Sequence, residues 1–210
     1  MNIVERLVLQ MIGEDPDNPD VFTDDSTGMA QIRDSINDAV EEIAIITGGY
    51  RESYYLPLEE DYPFYQLSRD TGSIAWITDV FIMSAQRRLD QTDFVKLTSQ
   101  NPRWLFDSGA PRVYIPVGFD KICVWPKPGG DSDILEIRTA IVPARYEEDT
   151  DRIKVRRGLE WAAANFAMGE YHASRGDAQS AINHHSQYAR VLGIDLPYSP
   201  DKWRGMKGPS

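Results

Sequence analysis

Cysteine is almost missing from this sequence: Cys123 is the only one in 210 residues. No intrachain disulfide can form, and a zinc site of paired cysteines is excluded. Cys123 sits in the apolar run Ile122-Cys123-Val124-Trp125, which predicts a buried, inert thiol. Long hydrophobic runs are missing too, since nothing approaches the roughly 20 apolar residues of a membrane span. The opening Met1-Asn2-Ile3-Val4-Glu5-Arg6 has an early acid and no small-residue cleavage site, so it does not read as a signal peptide. The expectation is a soluble chain made in a cytoplasm.

Positive charge is also scarce. Lys and Arg number 22 against 33 Asp and Glu, a net charge of −11. Residues 1–149 carry 27 acids and 13 bases, while residues 150–210 carry 6 acids and 9 bases. A protein that grips DNA needs a cationic surface, because phosphate neutralisation supplies most of the affinity. The uneven charge suits subunits that pack head to tail, acidic part against basic part, and it equally suits plain solubility.

Chemical motifs are lacking as well. Of the three histidines, His184 and His185 are neighbours pointing about 100° apart on a helix and cannot chelate one ion well. His185 reads as a packed, hydrogen-bonded residue, and no His-Glu-x-x-His occurs. The acidic stretch from Asp15 fails as a calcium loop: its glycine is missing, and Ser26 stands where a bidentate Glu belongs. No nucleophile elbow, Walker A loop or dinucleotide glycine fingerprint is present. No catalytic residue, metal site or cofactor is assigned, and the expectation is a non-enzyme.

What is present is amphipathic pattern. Residues 2–12 have apolar residues at helical spacing, stopped by Gly13. A turn-rich acidic loop follows over 13–28, then a helix over 29–47. There Met29, Ile32, Ile36, Val40, Ile43 and Ile46 form one stripe, with Arg33, Asp34, Asp38, Glu41 and Glu42 largely outside it. Residues 50–142 have β character, with strands expected at 50–56, 64–67, 74–83, 112–115, 121–125 and 134–142. A hairpin spans 114–125, and a short helix is possible in 90–100. Two helices, 151–175 and 177–192, meet at Gly176 as an antiparallel pair. The tail 194–210 has no periodicity.

The fold class expected is α+β: an α-helical bundle made from the N- and C-terminal helix pairs, with an inserted antiparallel β module. The boundaries are 1–49 with 150–193 for the bundle, 50–149 for the insertion, and 194–210 for an extended arm.

Several weak signals in order carry a resemblance. They are Val4-Glu5-Arg6-Leu7, the acidic loop, Ile36-Asn37-Asp38-Ala39-Val40-Glu41-Glu42-Ile43, and Tyr55-Leu56-Pro57-Leu58. Asn101-Pro102-Arg103-Trp104, the hairpin from Pro111 to Pro128, and Arg175-Gly176-Asp177-Ala178 complete the series. Over residues 3–193 the chain resembles the head-to-tail adaptor proteins of tailed bacteriophages, also called connector or tail-accessory proteins. The resemblance implies a virion protein at the head–tail junction, synthesised in the host cytoplasm. It implies a cyclic ring of about a dozen copies below the portal protein, extending the DNA channel. The partners implied are other copies, the portal, a downstream tail or nozzle protein, and double-stranded DNA passing without sequence-specific binding; no membrane is implied.

Within that frame, Asp15, Asp17, Asp20, Asp24 and Asp25 are candidates for a channel wall that repels phosphates, or for an intersubunit contact. Their bland alternative is a solvated loop. Arg152, Lys154, Arg156 and Arg157 form the one dense basic cluster and are candidates for subunit or portal pairing. Tyr198, Trp203, Arg204 and Met206 on the arm are candidates for docking into a partner groove. Rival readings are another neck or tail component such as a terminator or stopper, a tail-associated cell-wall-degrading enzyme using a carboxylate pair, and a helical regulatory module.

Overall fold

The computed structural model describes residues 2–17, 26–67, 73–130, 133–146, 155 and 157–194. The chain divides into a helical unit, Met1–Thr47 with Arg145–Ser210, and a β unit, Gly48–Ala144.

The helical unit contains α1 (Ile3–Ile12), α2 (Ser26–Thr47), α4 (Glu160–Ser174) and α5 (Ala178–Leu192). α1 begins with a capping box. The Asn2 side chain accepts from the Val4 and Glu5 N–H groups, and the Glu5 carboxylate accepts from the Asn2 N–H. Gly13 ends α1 in the left-handed region at φ 91°, which only glycine adopts without strain. α4 packs against α1, α2 and α5. It can approach all three because its packed side chains are small: Ala162, Ala163, Ala164 and Ala167 are buried. The apolar stripe of α2 fills the space opposite, with Ile32, Ile36, Val40 and Ile43 buried, while Ile46 at its end stays exposed.

The sequence pattern predicts one helix over 151–175; α4 runs Glu160–Ser174, residues 155 and 157–159 are not helical, and 151–154 and 156 lie outside the described residues. Gly158 adopts φ 94°, and its N–H donates to the Glu160 carboxylate, so a turn precedes α4. α4 and α5 are joined by a tight turn, capped where the Asp177 side chain accepts from the Ser180 N–H at 3.1 Å.

The β unit holds two four-stranded sheets. Strands β1 (Arg51–Pro57), β10 (Ile134–Val142), β3 (Ser73–Ile82) and β4 (Arg87–Arg88) form one, in that order. β2 (Phe64–Gln66), β8 (Lys121–Trp125), β7 (Val113–Pro116) and β5 (Asp90–Gln91) form the other. The long pairs are antiparallel, and β7–β8 is the expected hairpin. Two short pairs are parallel: β5 with β7, and β6 (Ser108–Gly109) with β9 (Lys127–Pro128).

The sheets face one another across a shared core. Val80, Ile82, Leu135 and Ile137 come from the first sheet, and Tyr65, Tyr114, Ile122 and Val124 from the second. Strand alternation puts Ile115 and Cys123 on the opposite side of the second sheet. There they meet Leu97 of α3 (Phe94–Gln100), Trp104 of a 3₁₀ turn (Trp104–Phe106), and Trp125. The unit is therefore layered: first sheet, main core, second sheet, small core, then α3 with the 3₁₀ turn.

Candidate interface surfaces

Of the five acids proposed for a channel wall or contact, Asp15 and Asp17 lie among the described residues; Asp20, Asp24 and Asp25 do not. Asp15 accepts from the Asp17 N–H at 3.0 Å, and Asp17 pairs with Arg6 at 3.1 Å. Both acids are exposed. Of the basic cluster only Arg157 is described; it is exposed and lies in the turn before α4. Arg152, Lys154 and Arg156 fall outside the described residues, as do Tyr198, Trp203, Arg204 and Met206.

A denser acidic surface lies on α2. Asp34, Asp38 and Glu41 share one side of the helix, as their spacing dictates. The Arg145 guanidinium reaches all three, at 3.8, 2.8 and 3.7 Å. All four side chains are about half exposed or more, so the pairs are worth ~0–1 kcal/mol each in stability. One cation among three carboxylates leaves the surface negative.

Beneath the other side of α2 is a buried polar clamp that sequence pattern alone does not reveal. The Glu5 side chain is almost fully buried and pairs with Arg33 at 2.8 Å. The Tyr146 hydroxyl donates to the same carboxylate at 3.1 Å. Tyr146 is tied in turn to Asn37, each exchanging a hydrogen bond of 3.0 Å with the other. Burial, then the Glu5 charge, pushes the Tyr146 phenol well above its ordinary pKa, so it stays a donor. The clamp joins α1, α2 and the chain returning from the β unit. The Asn2-x-x-Glu5 spacing of a capping box was its one sequence signal.

The β unit shows apolar side chains at its α3 end. Val95 and Phe106 are each 81% exposed, with Leu105 and Phe94 beside them in sequence and also exposed. The backbone under them is firmly built. Asp93 caps α3 by accepting from the Lys96 N–H at 2.7 Å, Trp125 Nε1 donates to the Trp104 carbonyl at 3.1 Å, and the Asn101 amide bonds Asp107.

The histidines gather where α4 meets α5. The His172 and His184 rings stack at 5.4 Å, and His184 Nδ1 lies 3.0 Å from Asn165 Oδ1. His185 turns its edge to Phe166 and lies 3.4 Å from Glu170. Gly169 leaves room for this ring, since a Cβ there would come within 2.7 Å of it. Burial, then the neighbouring His172 and His185, lowers the His184 pKa. A folded pKa below the unfolded one means that protonation favours unfolding. Stability is therefore expected to fall as pH drops below about 6.5. The melting temperature of the His184→Asn variant should fall less between pH 7.5 and 5.5 than that of the parent; equal falls would refute this.

No group of three or more His, Cys, Asp or Glu suited to a metal ion occurs among the described residues. Burial raises the Cys123 thiol to about 11, consistent with an inert residue.

A sequence model of the SU10 adaptor protein family matches residues 4–205. The chain belongs to that family. It is a phage head-to-tail adaptor family, so this adaptor is a structural component of a virion and interacts with other phage head and tail proteins. No curated protein matches the adaptor. No helix among its described residues is long and apolar enough to cross a membrane.

Proposed function

We propose that this adaptor forms a closed ring of about a dozen copies beneath the portal, extends the DNA channel, and offers the surface on which the tail is built. The observation that carries this reading is the family match over nearly the whole chain. Its charge supports it. Residues 1–47 hold 11 acids and 2 bases, and a wall of that sign repels phosphate and lets the duplex slide. In this reading Asp15, Asp17, Asp20, Asp24 and Asp25, together with the acidic side of α2, face the channel or a neighbouring copy.

The helical unit is proposed as the ring scaffold and the β unit as an inserted module. The segment from residue 194 is proposed as an arm reaching the portal, with Tyr198, Trp203, Arg204 and Met206 as its anchors. Arg152, Lys154, Arg156 and Arg157 would pair with an acidic surface of the portal or of the next copy. Many moderate contacts closed by cyclic symmetry then hold more firmly than any single one.

The test is reconstitution. The purified chain, mixed with portal rings of its own phage, is expected to give a ring-on-ring complex visible by electron microscopy. A chain truncated before residue 195 should bind more weakly. Absence of any complex between 50 mM and 500 mM salt would overturn the proposal.

A further inference from the structure

Among the described residues α5 packs broadly on α4 alone, whereas α4 also packs on α1 and α2. Only Ala181, Tyr188 and Ala189 of α5 are buried, while α4 buries a longer run that includes Ala162, Ala163, Ala164, Ala167 and Met168. A segment that buries few groups and leans on one neighbour is the segment that opens at least cost. α5 can therefore part from α4 while α1, α2 and α4 keep their shared packing.

All three histidines lie where these two helices meet: His172 comes from α4, and His184 and His185 come from α5. Two of them face carboxylates. His172 Nδ1 is 3.4 Å from Asp177, and His185 Nε2 is 3.4 Å from Glu170. His184 faces none among the described residues. Its ring lies 5.4 Å from that of His172, with the planes 8° from parallel, and its hydrogen bond goes to Asn165. The Asn165 amide has a fixed orientation, because its Nδ2 donates to the Trp161 carbonyl at 2.8 Å. Asn165 Oδ1 therefore accepts, and His184 Nδ1 carries the ring proton. A second proton must go to Nε2, which has no acceptor among the described residues. The charge it brings stands beside two other imidazoles, His172 across the interface and His185 next in sequence, and these are the groups whose charge acts on it. The remaining charges nearby are engaged elsewhere: Arg175 lies over the Tyr171 ring, and Glu42 of α2 acts on Tyr188.

We propose that His184 is an acid-operated latch, whose second proton releases α5 from α4 while the rest of the helical unit stays folded. In the closed helix pair that proton meets burial and two neighbouring rings; in the open pair it meets water. The open form binds it more readily, so closure is complete above about pH 6.5 and weakens as pH falls below that value. Charges formed on His172 and His185 have carboxylate partners and do not drive the opening. They act by repelling the charge on His184. The latch belongs to the single chain and does not depend on ring formation.

The test is hydrogen–deuterium exchange of the full chain, followed by mass spectrometry and corrected for the intrinsic rate at each pH. Between pH 7.5 and 5.5 the protection of α5 should fall severalfold, up to about tenfold, the limit that one proton sets over one pH unit below 6.5. α1 and α2 should keep their protection. In His184→Asn the protection of α5 should stay level over the same range. Asn165→Asp sets a carboxylate against His184 Nδ1 and should keep α5 protected at pH 5.5. Constant α5 protection in the parent would overturn the proposal. An equal loss in α1 and α2 would also overturn it, since the whole unit would then be unfolding, as would a loss in His184→Asn as large as the parent's. Nitrogen-15 spectra give a separate check on the geometry: at pH 8 His184 should show the Nδ1-protonated ring, and an Nε2-protonated ring would remove the basis of the latch.

Discussion

Replacing Arg33 with methionine is expected to lower the stability of the helical unit by about 3–5 kcal/mol. The reason is an asymmetry within the clamp. The Arg33 side chain is 25% exposed and the Glu5 side chain 1%. Removing the arginine strands a buried carboxylate whose remaining partners are the Asn2 N–H, at 2.8 Å, and the Tyr146 hydroxyl. Removing Glu5 instead leaves a guanidinium that already touches water, so Glu5→Leu should cost less than Arg33→Met. Tyr146→Phe deletes one donor of the set and should cost about 1 kcal/mol. Urea unfolding followed by far-ultraviolet circular dichroism measures all three. An Arg33→Met midpoint within error of the parent's, or a cost ranking reversed between Glu5 and Arg33, would show that the clamp contributes nothing of this kind.

Ile137→Ala should cost the β unit about 2–5 kcal/mol. β10 is an interior strand of its sheet, paired with β1 on one side and β3 on the other. Ile137 stands opposite Tyr54 and Val80, is fully buried, and belongs to the core shared by both sheets. Truncation leaves a cavity that three strands hold open, so little collapse offsets the loss. Ile134→Ala is the control: it lies on the same strand with the opposite orientation and is 44% exposed, and its change should stay near ±0.5 kcal/mol. Unfolding monitored through tryptophan fluorescence reads the pair, because Trp76, Trp104 and Trp125 all lie in this unit. Equal effects at 134 and 137 would contradict the assigned faces of the strand.

The α+β class was legible because periodicity changes cleanly along the chain. Residues 2–12 and 29–47 repeat at helical spacing and correspond to α1 and α2, and 121–125 and 134–142 coincide with β8 and β10. Both patterns arise from one-sided burial, which a sequence records directly. The start of α4 was misread because Ile153 and Val155 continue its apolar spacing, whereas the left-handed Gly158 interrupts the backbone. The two-residue strands β4, β5, β6 and β9 were not legible. Their pairing depends on where distant segments arrive, and two residues cannot show a period.

The candidate surfaces divide in the same way. Acidic bias and the lack of catalytic or metal-binding motifs were plain in the sequence, and the order of weak signals pointed to the family. The clamp was invisible because Arg33 sits outside the apolar stripe of α2, where pattern reading assigns it to solvent beside Asp34 and Asp38. It turns inward only because Glu5 waits there. Val95 and Phe106 look like core residues, since their apolar character is all that a sequence displays. Their exposure follows from Leu97 and Trp104 having already filled the small core below.

Composition and periodicity by themselves determined the fold class and the acidic character, because each is a sum over local choices. Tertiary structure alone decided which charges are buried in pairs and which apolar groups remain on the surface. Those outcomes depend on how much room each core has, and that is settled only when distant segments meet.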